Sequence, residues 1–408
     1  MGPLNWSSEY EKREERLSVR KALAFTQQHR VQIKQWHSLT LNTEYSRRRR
    51  RFPEEPASEE RTDLADIDVR FSPLKGAIVS EVHYQLTSKG ASKKLKNYLY
   101  VGKDKGYYIW EDVNGDGQKD ESEFIPDPNG DYILYIEEIG ESQPVTELDS
   151  GLRLALEPRK ILSEENNSFW NKILKELSSH TSFQVQRKTS RDGSEGDALR
   201  DRSVFQQDIS LFGRSQKLSL YLKHRNCRDL SNEYYGGSDR YSSLENSVKI
   251  RSRFLPKSVV ELEYIKERTD RKGKGIFANY QIDSHKLRGE FSHRPVAPLE
   301  LWLRLKLGKD WEVEKRTKAT WISLTPGFSY RLRGKGKFWT QLNYANVHSN
   351  ETLIYQMAEG KRKGTNLRWN TNFDYRLSQY TSFSFSYYGR KQPKRETIHS
   401  LKAEMRAY

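Results

Sequence analysis

The sequence predicts an all-β protein, an antiparallel up-and-down barrel of the outer-membrane type with about twelve or more strands, a small Asp/Gly-rich insert and one short helix. From Thr181 to Tyr408, about twelve segments alternate between apolar and polar residues. The connections between these segments are alternately short and long. A membrane barrel with tight turns at one end and long loops at the other has this rhythm.

The composition excludes a helical membrane protein and leaves the barrel open. Of the 408 residues, 31% are charged, 35% are hydrophobic and 12% are aromatic. No apolar run approaches the ~20 residues that a spanning helix needs, whereas only every second residue of a barrel strand faces lipid. A mean hydropathy of −0.92 leaves a soluble or surface β-protein as the alternative.

The net charge of +16 has three candidate explanations, of which binding to nucleic acid ranks last. A charged lumen together with solubility is the simplest interpretation, and anionic lipid headgroups or a surface polysaccharide come next. We expect no nucleic-acid partner, because the charges alternate with apolar residues along strands and do not form one basic helix or patch.

The strand pattern is clearest in residues 299–307, where every odd position is Leu and the even positions are Glu, Trp, Arg and Lys. A charged opposite face suits a wet lumen better than a second packed sheet. Aromatic residues recur near the strand ends, and we expect them to form interfacial girdles: Trp302, Trp321, Trp339, Tyr344, Tyr375 and Tyr387.

Four regions are expected along the chain. Residues 1–95 hold N-terminal strands that could belong to the same barrel, and 96–145 form an acidic insert. Residues 146–180 hold a strand and a short helix, and 181–408 hold the C-terminal barrel strands. The helix is predicted over Asn167–Ser178, where apolar residues recur at spacings of 1, 3 and 4.

Residues 17–88 are predicted to contain four strands. The loop between the second and third of them is expected to carry Arg47 to Arg51 and the stretch FPEEPASEERTD. Five arginines in a solvated loop need no ligand, although contact with phosphate or lipid A is an alternative. The single cysteine, Cys227, is also predicted to lie in a loop and cannot form an internal disulfide.

One motif is specific: residues 112–123, DVNGDGQKDESE, fit the twelve-residue calcium loop. Oxygen ligands are expected from side chains at positions 1, 3, 5, 9 and 12 and from the backbone carbonyl at position 7, and Gly117 provides the sharp turn at position 6. The expected ligands are Asp112, Asn114, Asp116, Gln118, Asp120 and Glu123. The sequence therefore predicts bound calcium, and the alternative is an Asp/Asn/Gly-rich turn without metal.

The surroundings of this loop differ from a helix–loop–helix pair. Position 8 is Lys119, where an apolar residue is usual, and the flanks YYIW and FIP favour strands. We therefore expect a structural calcium ion and not a calcium sensor. Asp127, Asn129 and Asp131 follow the loop and could join the site or form a turn, and the turn is the arrangement we expect.

Catalysis is not supported by the sequence, which lacks GxSxG, HExxH, P-loop and CxxC motifs. An envelope glycosidase would need a placed pair of carboxylates, so we expect no enzymatic activity and no catalytic residues. The N-terminus has no apolar core of a signal peptide, which an envelope protein needs. We therefore expect the chain to be the C-terminal part of a longer protein.

Two stretches resemble large, uncharacterised bacterial surface and outer-membrane proteins. They are residues 106–140, which contain the acidic loop, and residues 357–408, which end on the aromatic Tyr408. Tyr408 falls on the charged-face parity of its strand, one residue away from the usual register. The resemblance covers roughly a quarter of the chain and implies a location in the cell envelope, with no catalytic residues.

The leading hypothesis is an outer-membrane barrel that serves passage, anchoring or surface assembly. Its partners would be outer-membrane lipid or lipopolysaccharide and an envelope protein. The alternative is a soluble, calcium-stabilised cell-surface β-protein that binds a polymer or a protein partner.

Overall fold

A computed structural model describes residues 4–16, 21–53, 55–103, 105–112, 115–162, 168–190, 198–215, 217–235, 237–273, 279–393 and 395–407. Twenty strands form one sheet. The strands are β1 (Leu4–Arg16), β2 (Lys21–Trp36), β3 (Leu39–Phe52), β4 (Glu55–Phe71), β5 (Ile78–Tyr100), β6 (Gly106–Trp110), β7 (Phe124–Gly130), β8 (Tyr132–Leu156), β9 (Leu177–Ser190), β10 (Ala198–Leu211), β11 (Leu218–Ser231), β12 (Asp239–Leu255), β13 (Ser258–Lys272), β14 (Tyr280–Val296), β15 (Leu299–Glu312), β16 (Lys318–Leu332), β17 (Gly336–Ser349), β18 (Gly364–Arg376), β19 (Thr381–Lys391) and β20 (Ile398–Ala407). The helices are α1 (Pro73–Gly76) and α2 (Phe169–Glu176), with 3-10 turns at Glu121–Glu123, Pro158–Lys160 and Met357–Gly360.

Each strand of the main sheet pairs in antiparallel fashion with its neighbours along the chain. The ladder runs from β1 to β5, crosses to β8 and continues in order to β20. Strands β6 and β7 form a small hairpin between β5 and β8, and β6 joins the sheet by pairing with β8 at Tyr108 and Tyr132. The chain therefore has the predicted up-and-down fold of outer-membrane barrels. Between the described residues of β1 and β20, the first and last strands, there is no ladder.

The two ends of the sheet differ in their connections. At one end, called the turn end, the connections include the two-residue turns at 37–38, 256–257 and 297–298. At the other end, called the loop end, they include residues 101–131 and 350–363. The alternation of short and long connections is the one that the sequence predicts, and β9 to β20 are the twelve strands expected after residue 181.

The two faces of the sheet differ in chemistry. The odd-numbered leucines of β15, Leu301 to Leu307, are exposed on one face, which we call the outer face. On the opposite face, called the lumen face, lie Trp302, Arg304 and Lys306. The apolar residues of the last strand, including Leu401 and Met405, are also exposed. An apolar, exposed exterior with a polar interior is the pattern of a barrel that faces lipid.

The N-terminal strands are longer than the sequence predicted, and they include charged residues that were expected in a loop. Arg47 to Arg51 lie in β3, so their placement in a loop is wrong, and β1 precedes the four strands expected in this region. Cross-strand ion pairs explain how so charged a run forms strand: Arg47 pairs with Asp63 at 2.7 Å, and Arg50 pairs with Glu15 at 2.9 Å. Strands β5 and β8 are also longer than a strand that spans a membrane. Residues 101–131 lie between them, a shorter segment than the insert expected over residues 96–145.

Helix α2 confirms the predicted helix in residues 167–178 and lies at the turn end. It contacts the 3-10 turn Pro158–Lys160 and β10, while Phe169 and Trp170 are exposed. No helix in the described ranges is long and apolar enough to cross a membrane. Cys227 is buried within β11, because it lies on the lumen face of a strand and not in the expected loop. Tyr408, whose register the sequence left open, lies outside the described residues.

The three tryptophans expected in the girdles face the lumen instead. Trp302 lies opposite Gly327 and Trp321 lies opposite Gly308 in the ladder between β15 and β16. A Cβ at Gly308 would come within 2.0 Å of the Trp321 indole, and one at Gly327 within 2.4 Å of Trp302. The indoles therefore lie across glycines on the sheet surface. The parity of a strand predicts the face of each tryptophan but not its partner on the neighbouring strand.

Candidate functional site

The insert of residues 101–131 is built on the hairpin of β6 and β7, with the acidic loop between the two strands. Strands therefore flank the acidic loop, as the YYIW and FIP sequences indicated. Aromatic stacking fixes the hairpin on β5, since the rings of Tyr98 and Phe124 are parallel with centroids 4.0 Å apart.

The acidic loop gathers three of the expected ligands. Side-chain oxygens of Asp112, Asp116 and Glu123 lie within 4.8 Å of one another. The carboxylate of Asp112 accepts hydrogen bonds from the backbone N–H groups of Gly115 at 2.7 Å and Gly117 at 3.0 Å. Both glycines have positive φ angles, 77° and 71°, which a loop wrapped around one point requires.

Glu123, at the last position of the loop, is almost fully buried. Its Oε2 accepts hydrogen bonds from Trp110 Nε1 at 2.9 Å and from the Asp120 backbone N–H at 3.5 Å. A buried carboxylate is costly unless it is hydrogen-bonded or coordinates a cation, and these donors hold Glu123 in place beside Asp112 and Asp116. Three carboxylates around one point fit a hard cation such as calcium.

Two other expected ligands, Gln118 and Asp120, are not part of this group of carboxylates. Asp120 is not among the carboxylates within 4.8 Å, and Gln118 donates its backbone N–H to Asp116 at 2.7 Å. Asn114 lies outside the described residues. Lys119 occupies position 8, where an apolar residue is usual. Its ammonium group lies 5.2 Å from the ring of Tyr132 and 5.5 Å from the ring of Trp110. The lysine thus packs on the aromatic cluster beneath the loop.

Asp127 does not form the turn expected after the acidic loop. It lies in β7, and its Oδ1 accepts a hydrogen bond of 2.9 Å from Arg390 Nη1 of β19, with both side chains buried. Arg395 also lies 3.6 Å from Asp127. The expectation of a turn is wrong because a carboxylate in this position meets the guanidinium of a distant strand.

A second contact joins the insert to the far loops. Glu111 lies 3.4 Å from Arg362 and 3.9 Å from Arg395. Arg390 lies on the lumen face of β19, opposite in parity to Phe385 and Tyr387. The insert therefore reaches from the β5–β8 hairpin to the lumen face of the last strands at the loop end.

The loop of residues 350–363 also packs on the lumen face. Ile354, Met357 and Ala358 are buried, and they cover an apolar patch on β14, β16 and β17. The patch consists of Tyr280, Ile282, Ala319, Trp321 and Val347. Asp310 of β15 holds the loop, since its Oδ2 accepts hydrogen bonds from the backbone N–H of Ala358 at 2.6 Å and from Trp321 Nε1 at 3.1 Å.

Glu359 in this loop meets a group of cations. Its carboxylate lies 3.1 Å from Lys306, 2.9 Å from Lys361 and 3.7 Å from Arg288. Burial acts to raise the pKa of Glu359, but the ammonium groups of Lys361 and Lys306 outweigh it and lower the pKa to about 2. Glu359 is therefore ionised at neutral pH and fixes the loop to β14 and β15.

The sequence did not predict these lumen-face contacts. One of these contacts is made by Arg390, which follows a run of aromatic and serine residues in its strand. Another is made by a short apolar run, Leu353–Ile354, within a polar loop. That apolar run is the one local signal that could have indicated a buried loop.

No protein-family model matches the chain, and no curated protein is similar to it in sequence. Solved structures of bacterial outer-membrane proteins are similar in fold. OccK2 (OpdF) of Pseudomonas aeruginosa has 10% identity and a TM-score of 0.41, covering 99% of this chain and 96% of that one. The copper transporter OprC has 10% identity and a TM-score of 0.46, covering 98% and 67%. OmpT of Vibrio cholerae has 8% identity and a TM-score of 0.35, covering 84% and 86%.

The exclusion of enzymatic activity requires correction. It rested on the absence of short sequence motifs, and that absence does not exclude an activity. A catalytic site on such a scaffold is assembled from strands and loops far apart in sequence, so the absence of a short motif does not exclude one.

Proposed function

We propose that the chain forms a pore for hydrophilic solutes in the bacterial outer membrane. The division of the sheet into an apolar, exposed outer face and a charged lumen face carries this proposal. Several charged residues of the lumen face form ion pairs within the sheet, as in the pairs of Arg304 with Glu290 and Lys286 with Glu267, both at 2.7 Å. Such a face is stable only in contact with water, while the outer face suits lipid.

A calcium ion in the acidic insert is the second part of the proposal. Asp112, Asp116 and Glu123 would supply carboxylate oxygens, with Asn114, Asp120 and the Gln118 carbonyl completing the set. Because Glu123 and Asp127 lie on the same short hairpin, an ion at the loop would stiffen the element that reaches Arg390. Calcium would thus hold the insert over the loop end of the pore.

Lipopolysaccharide is the membrane partner we propose. On the outer face of β3, Tyr45 is followed toward the loop end by Arg47, Arg49 and Arg51, and the Arg47 guanidinium lies 5.7 Å from the Tyr45 ring. An aromatic residue at the apolar boundary and arginines beyond it suit a membrane surface that carries phosphate groups.

Reconstitution tests the pore. Purified protein, folded in detergent and added to a planar lipid bilayer, should give stepwise conductance that changes when calcium is removed with a chelator. Protein that stays monodisperse in buffer without detergent and gives no conductance would overturn the proposal in favour of a soluble β-protein.

A further inference from the structure

Two arginines face each other across the last strands of the lumen. Arg368 of β18 and Arg390 of β19 are directly opposite in the ladder and lie on the same face. Like charges in directly opposed positions destabilise a sheet. Anions beside such a pair reduce this cost.

The insert neutralises one of the two. Asp127 binds Arg390 at 2.9 Å and lies 3.6 Å from Arg395, while the nearby Glu111 lies within 4 Å of Arg362 and Arg395. Arg368 is exposed on the lumen face, and none of the described side chains forms a hydrogen bond or an ion pair with it.

The loop of residues 350–363 adds further positive charge beside Arg368. Burial lowers the pKa of Lys361, and the charges of Lys306 and Arg368 lower it further against the opposing effect of Glu359. Burial raises the pKa of Tyr355, whose hydroxyl lies within electrostatic reach of both Asp127 and Arg368. Arg368 is therefore near the loop, and its partner in the ladder, Arg390, contacts the insert.

The charges around this point do not balance. Four carboxylates, Glu111, Asp127, Glu263 and Glu359, are paired with six cations, and Asp310 beside the loop adds a fifth carboxylate. Arg368 adds a seventh cation, so positive charge is in excess. The six paired cations are Arg288, Lys306, Lys361, Arg362, Arg390 and Arg395. An excess of one sign in a cleft with low-dielectric walls concentrates solutes of the other sign.

We propose that the lumen at the loop end holds a binding site for small oxyanions, in which the Arg368 guanidinium is the main contact for a carboxylate or phosphate group. The planar fork of an arginine binds either group through two parallel N–H···O hydrogen bonds. The site rests on the proposed pore, because its solutes enter through the lumen. It makes the pore selective for anions.

The test compares Arg368→Gln with a matched control on the same strand and the same face. Arg376→Gln makes the identical change near the turn end, eight positions along β18, roughly 26 Å away. In bilayers with a salt gradient, the wild-type protein and Arg376→Gln should prefer anions, and Arg368→Gln should lose most of that preference. Inorganic phosphate should reduce the chloride conductance of the wild type, with binding about tenfold weaker in Arg368→Gln.

Succinate as a second probe separates the two chemistries. Inhibition by both probes supports a general oxyanion site, and inhibition by one alone narrows the site to that group. Equal selectivity and equal inhibition in Arg368→Gln and the wild type would overturn the site and leave the pore intact.

A failure of the pore is distinguishable from a failure of the site. If no variant conducts, calorimetric titration of phosphate into the detergent-folded protein still tests Arg368. Binding that is weakened by Arg368→Gln and unchanged by Arg376→Gln supports the site without the pore. Absence of heat with the wild type overturns the site, and a thermal melt of each variant confirms that all are folded.

Discussion

Asp127 and Arg390, 263 residues apart in sequence, form a buried ion pair of 2.9 Å that joins the acidic insert to the lumen face of the second-last strand. The pair places a calcium-loop-like element and a cluster of arginines at the same end of the sheet. It thereby relates the two features of the chain that most directly bear on function, the acidic loop and the charged lumen.

Replacing Asp127 by Asn should release the insert. Removing one partner of a buried ion pair costs roughly 3–5 kcal/mol, because the remaining charge is left without compensation. We expect a lower free energy of unfolding in guanidinium and faster tryptic cleavage in the insert. Glu396→Gln is the control, since its pair with Lys103 is highly exposed and surface pairs contribute about 0–1 kcal/mol. Equal cleavage rates in the two variants would contradict the docking role of Asp127.

Calcium should raise the melting temperature of the wild-type protein, and Asp112→Asn should abolish that rise. Asp112 is exposed, so its replacement removes a proposed ligand without disturbing the buried Glu123. Glu121→Gln is the matched control, because Glu121 lies in the same 3-10 turn as Glu123 but pairs with Lys96 at 2.6 Å. A calcium response that persists in Asp112→Asn would show that the loop does not hold the ion.

A methyl group at Gly308 should displace Trp321 and loosen the loop that this tryptophan supports. The added Cβ would lie 2.0 Å from the indole, and overpacking of this kind costs about 1–3 kcal/mol. Gly289→Ala in the neighbouring strand is the control, since the nearest atom to its Cβ is 4.0 Å away. Thermal melts of both variants measure the difference, and equal melting temperatures would contradict the packing of Trp321 over Gly308.

The attachment of residues 350–363 should depend on acid pH. The carboxyl of Glu359 has a pKa lowered from 4.5 to about 2, so its ion pairs contribute fully above pH ~4.5 and are lost as the pH falls toward 2. Conductance should stay constant from neutral pH to about pH 4.5 and change progressively below it. Glu359→Gln should show the low-pH conductance at neutral pH, and a variant that conducts like the wild type would contradict this role.

Strand β1 should pair with β20 in the membrane. The open edges of a sheet cannot remain unpaired in lipid, because each free N–H and C=O group there costs several kcal/mol. We expect a monomer in detergent that migrates differently on a gel before and after boiling. A dimer by light scattering would show instead that the edge strands pair between two copies.

The alternating pattern of the sequence determined the C-terminal strands, β9 to β20, their outer face and the order of their short and long connections. Leu301 to Leu307 were assigned to one face because the period of a strand is two, and the same parity holds in each paired neighbour. The acidic loop was recognised because calcium ligands follow a local spacing, which Asp112 and Glu123 retain. Features of this kind depend on residues close together in the chain.

Only the tertiary structure decided which distant residues meet. The register between β18 and β19 sets Arg368 against Arg390, and the path of the insert brings Asp127 to the same place. Residues 350–363 fold onto the lumen face because an apolar patch, formed by three separate strands, lies there. No period in the sequence marks such contacts, because their energy comes from charge pairing and burial between segments that only the folded sheet brings together.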